Sequence, residues 1–82
     1  MASELGHLIK SRRLKAKISQ TTLANNIGLA SPQYISNIER GLNSMSPLCM
    51  KQTAVFLKIA LRKLRDAHIT DYTKKYDEKL GL

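Results

Sequence analysis

An all-α chain of five helices, the last much the longest, is predicted by three features of the sequence. Apolar residues recur at spacings of three and four over almost the whole chain, strict apolar–polar alternation is missing, and Ser, Pro and Gly fall where helices would start and stop. With 82 residues, 43% of them hydrophobic, a single domain can build a helical core without metal or disulfide.

The first helix is expected over residues 3–16. Ser3 caps it, Glu4 lies in the first turn, and Leu5, Leu8 and Ile9 share a face that Arg13 extends. Gly6 within this helix costs about 1 kcal/mol against Ala. Ser19 caps a second helix over residues 20–27, which buries Leu23, Ala24 and Ile27 and leaves through Gly28, a residue that tolerates a left-handed exit. After a tight turn, Ser31 followed by Pro32 at the first helical position opens a third helix that runs to Arg40 and closes at Gly41. Ser46 and Pro47 repeat the device for a fourth helix over 47–57. A short break at residues 58–60 then precedes a fifth over 61–79.

Fourteen Lys and Arg stand against six Asp and Glu, a formal net charge of +8. The excess is uneven: every acidic residue except Glu4 and Glu39 lies beyond residue 65, so the positive field belongs to the first four fifths of the chain and favours a polyanionic partner. At 5% aromatic content, a stacking platform for single-stranded bases is disfavoured. A single cysteine, Cys49, with His7 and His68 far apart in sequence, makes neither a disulfide nor a zinc site; no metal and no cofactor is expected. No nucleophile–base pair, paired carboxylates or phosphate loop can be assembled, which argues against an enzyme. There is no basic-then-apolar leader and no apolar run near the roughly 18 residues that span a bilayer, so a cytoplasmic protein without a membrane partner is expected.

Two short helices joined by a Gly-containing turn are the core of a helix-turn-helix, in which the second helix enters the major groove of double-stranded DNA. The third helix divides its faces accordingly. Ile35 and Ile38 point one way, and Gln33, Ser36, Asn37 and Arg40, spaced i, i+3, i+4 and i+7, point the other. Amide side chains can donate and accept at once toward the adenine edge, and Arg favours guanine or phosphate. A merely solvated face would more often carry Lys and Glu.

Residues 18–41, ISQTTLANNIGLASPQYISNIERG, resemble the signature of the Xre/Cro/phage-repressor-type helix-turn-helix family, with likeness extending over residues 4–60. The resemblance implies a lambda-repressor-like five-helix DNA-binding domain over 1–60, with 61–82 as an extension for dimerisation or partner binding. It implies that Pro32, Gln33 and Asn37 face base edges, Gln33 foremost. Ser36 touches base or phosphate, as does Tyr34. Gln20 and Ser31 approach phosphates, joined by Arg40, Asn43 and Ser44 beyond the recognition helix. Arg13, although set in the basic run Lys10, Arg12, Arg13, Lys15, Lys17, is by the same resemblance the buried ion-pair partner of Glu39. The chain departs from the family in having five residues between Gly28 and Tyr34 where four are usual, in Met45 where proline is common, and in Ala60 where a capping Ser or Asp often begins the last helix.

A fifth helix of this length spans about 28 Å, more than four short helices cover. Its later apolar stripe, Ile69, Tyr72, Tyr76 and Leu80, therefore calls for another surface, most simply a second copy of the chain. The expectation is a dimeric transcription regulator of repressor, Cro or controller type on an inverted-repeat operator. The alternative is an antitoxin-type module that binds a protein toxin on that helix and regulates its own promoter. An RNA adaptor is disfavoured, because a helix does not fit the deep, narrow groove of RNA.

Overall fold

Ser3, Ser19 and Ser46 each stand in extended conformation and accept a hydrogen bond from a first-turn amide, that of Gly6, Thr22 and Cys49 respectively. Each such cap contributes about 1 kcal/mol to its helix. The computed structural model describes residues 3–82, and among them the order is α1 (Glu4–Lys15), α2 (Gln20–Asn26), α3 (Gln33–Glu39), α4 (Pro47–Leu57) and α5 (Leu61–Leu80), with no strand. α2 ends as Gly28 turns left-handed at φ +78°, which lets the Leu29 amide donate back to the Ala24 carbonyl at 2.8 Å.

The start of α3 departs from expectation. Ser31–Pro32 does not act as Ser46–Pro47 does: Pro32 itself takes the cap position, already helical at φ −73° and ψ −9°, and no side chain caps the helix. The longer turn after Gly28 leaves Ser31 one position too early, and the Ser36 amide donates the first helical bond to the Pro32 carbonyl at 3.0 Å. α3 thus begins at Gln33. At the other end of the chain α5 continues to Leu80, one residue beyond the expected end, before Gly81 closes it left-handed at φ +75°.

The core is shared by all five helices. Ile9, Leu23, Ile35, Ile38 and Leu64 are fully buried, each worth about 1.5–3 kcal/mol of transfer free energy. Met45 and Ile59, which lie in connections, join them. Lys58 makes this possible for Ile59: it turns left-handed at φ 56°, and the Ile59 amide then bonds the Ala54 carbonyl at 2.9 Å. The uncapped entry to α5 at Ala60 is held by that buried isoleucine.

α5 lies along α1 further than the sequence suggests. The Asp71 carboxylate accepts the free amides of Glu4 at 2.8 Å and Leu5 at 3.0 Å, a cap supplied from 66 residues away. Gly6 also has a tertiary reason. A Cβ there would run into the Ile38 carbonyl and lie 2.7 Å from that of Glu39, so the residue expected to weaken α1 is the one that lets α1 approach the end of α3.

Candidate nucleic-acid interface

The recognition surface stands on a buried polar hub. Arg13 of α1 donates from Nε to Glu39 Oε2 at 2.7 Å and from Nη2 to Glu39 Oε1 at 3.0 Å, with side chains only 9% and 4% exposed. Its remaining arm, Nη1, donates to the Ile18 carbonyl at 2.9 Å. One guanidinium therefore ties α1 to the end of α3 and to the turn that precedes α2, a geometry only the planar fork of arginine supplies.

Gln20, the phosphate candidate at the start of α2, enters the same hub. Its Nε2 donates to Glu39 Oε1 at 3.1 Å. The amide is half-buried and held in place, which leaves its carbonyl and one N–H uncommitted.

On α3 the outward residues form a chain. Gln33 Nε2 donates to Asn37 Oδ1 at 2.9 Å, and Arg40 Nη2 donates to the same oxygen at 3.0 Å. Asn37 Oδ1 is thereby filled as an acceptor, and its NH2 still offers donors. Gln33, exposed, keeps a carbonyl oxygen and an N–H, the donor–acceptor pair that matches adenine N6 and N7. Pro32 and Ser31 are exposed at the head of this face, and Ser36 is half-buried beside it.

The loop that follows α3 is pinned to it. The Tyr34 hydroxyl donates to the Ser44 carbonyl at 3.0 Å. Burial pushes the Tyr34 phenol up, and the nearby Cys49 adds to the shift, so the hydroxyl remains a donor throughout the neutral range. Tyr34 is thus committed to positioning Asn43 and Ser44, both exposed. Cys49 is buried, which raises its thiol and keeps it protonated.

The α5 residues lie elsewhere. Ile69, Tyr72, Tyr76 and Leu80 are each more than half exposed, and the rings of Tyr72 and Tyr76 stack at 6.1 Å. A second apolar surface lies on α4, where Leu48 and Val55 are 66% and 80% exposed and Val55 borders Phe56 and Asn26. Its signal was in the sequence: α4 carries apolar residues on all sides, more than one buried face can absorb. No helix among the described residues is long and apolar enough to cross a membrane.

The model of a family described as helix-turn-helix matches residues 9–64. Among solved structures, the restriction-modification controller protein C.AhdI from Aeromonas hydrophila is 31% identical, with 74% of this chain and 91% of that chain covered and a TM-score of 0.68. The clp gene regulator ClgR from Corynebacterium glutamicum is 24% identical over 96% of this chain and 84% of its own, with a TM-score of 0.70, a likeness of fold. No curated protein matches the chain.

Proposed function

The chain belongs to the Xre-type helix-turn-helix family and is a DNA-binding transcription regulator, and from that premise we propose that it is a sequence-specific repressor of the controller kind, binding an inverted-repeat operator as a homodimer. The observation that carries this reading is the outward amide face of α3, in which Gln33 keeps one donor and one acceptor free while Asn37 holds it in place. Gln33 is the bidentate adenine reader. Asn37, its oxygen already occupied, presents donors alone, toward the acceptor atoms of a neighbouring base. Pro32 offers apolar contact to a thymine methyl, and Ser36 reaches base or phosphate. Gln20, Ser31, Arg40, Asn43 and Ser44 hold the backbone, and Tyr34 supports them through the loop.

The exposed stripe of Ile69, Tyr72, Tyr76 and Leu80 supports a dimer through α5. A two-fold arrangement sets the two copies of α3 in successive major grooves about 34 Å apart and makes the operator an inverted repeat.

Selection of bound sequences from a random duplex pool by the wild type, Gln33→Ala and Asn37→Ala, with the oligomeric state measured by sedimentation, tests this. Each alanine variant is expected to lose about 1–3 kcal/mol of discrimination, at one base pair in each half-site. Full discrimination at every position by both variants would move base reading off α3, and a selected site without two-fold symmetry would remove the dimer.

A further inference from the structure

A small cleft, about 90 Å³, lies between α5 and the α3–α4 loop, lined among others by Asn43 and Ser44 from the loop and by His68, Tyr72 and Lys75 from α5. The loop side belongs to the DNA face: it leaves the recognition helix directly, and Tyr34 of that helix bonds the Ser44 carbonyl. The α5 side brings a cation to it. Among the described residues no carboxylate pairs with Lys75, whereas its neighbour Lys74 faces Glu4 at 3.8 Å. Asp71, the acid that also lines the cleft, has both oxygens occupied by the Glu4 and Leu5 amides at the positive end of α1, which offsets its charge.

We propose that Lys75 of α5, together with Asn43 and Ser44, forms one seat for a phosphate of the DNA backbone, so that the C-terminal helix takes part in operator binding directly. The inference rests on the reading of α3 and its loop as the DNA face.

Helical geometry keeps this compatible with a dimer through the same helix. At 100° per residue, His68, Asp71, Tyr72 and Lys75 share the side of α5 that faces the loop. Of the exposed stripe, Tyr72 borders both sides, and Ile69, Tyr76 and Leu80 are centred about 110° further round. Burying the stripe against a second copy leaves Lys75 at the loop. Lys79, one turn on, continues the loop-facing side away from the body of the protein. An ammonium there is a point charge without directional demand, suited to a phosphate and unsuited to reading a base.

The test uses the full chain. Binding of wild type, Lys75→Gln and Lys74→Gln to mixed-sequence duplex and to the selected operator is followed by fluorescence anisotropy over a salt series. Sedimentation is run on each variant. Lys75→Gln is expected to weaken both duplexes alike and to reduce the slope of log K against log salt by about 1 per protomer bound. The sequence preference and the oligomeric state should stay unchanged. Lys74→Gln should leave the slope near that of wild type. Ethylation interference should show, in each half-site, one phosphate whose modification hinders wild type and not Lys75→Gln. An unchanged slope with wild-type binding intact overturns this proposal alone. Weakening that follows a change in oligomeric state, with the interference pattern unaltered, also overturns it. Failure of wild type to bind duplex at all would instead remove the reading on which it rests.

Discussion

Replacing Arg13 by Ala removes three hydrogen bonds at once, two to Glu39 and one to the Ile18 carbonyl, from a site where the carboxylate is 4% exposed. Glu39 would keep only the Gln20 amide on Oε1, in a site where its side chain is 4% exposed. A buried carboxylate stranded in this way costs about 3–5 kcal/mol. A chain of this length has a total stability of about 4–12 kcal/mol, so Arg13→Ala is expected to use up a large part of the margin. For a domain of this size that is a fall in Tm of about 12 °C or more. The measurement is urea and thermal unfolding followed by far-UV circular dichroism. Arg13→Met with Glu39→Leu serves as the control, because replacing both partners by apolar groups removes the stranded charge. The double variant should lie within about 2 kcal/mol of wild type and well above Arg13→Ala. If Arg13→Ala loses less than about 1 kcal/mol, or the double variant is as unstable as the single one, the hub does not hold the fold as described.

Gly6→Ala should destabilise by about 1–3 kcal/mol in the same unfolding assay, although Ala is the better helix former, because the new methyl meets the carbonyls of Ile38 and Glu39; a gain in stability would show that the two helices part without cost. Ending the chain after Asp66 should lower stability by at least about 1.5 kcal/mol through loss of the Asp71 cap on α1, whereas ending it after Lys75 should not. Asp71→Asn in the full chain should reproduce part of that loss, and equal melting of all three would discount the cap.

Helix by helix, much of the fold is legible from local chemistry. Ser3, Ser19 and Ser46 cap because a serine before a helical run satisfies amides only a few residues on, and Gly28 ends α2 because the exit is left-handed. Burial of Ile35 and Ile38 against exposure of Gln33 follows from a period of 3.6 residues, so the division of α3 into a core face and an outer face needs no tertiary knowledge. Local chemistry failed at Ser31–Pro32. Ser46 caps α4 with Pro47 at the first helical position, whereas Ser31 does not cap α3, because the longer turn puts Pro32 itself in the cap position.

The sequence by itself determined five helices, the helix-turn-helix pair and the polar face of its second helix, because these depend on periodicity and on neighbours at most four residues apart. Tertiary structure alone decided the rest. Only packing shows that Gly6 is a close-contact residue, that Met45 and Ile59 complete the core, and that Asp71 caps a helix 66 residues away. It also committed the Gln20 amide to Glu39 and brought Lys75 beside the loop after α3. The reason is the same in each case: which groups remain free for DNA depends on which distant partners the fold has already supplied to the others, and sequence spacing carries no record of those partners.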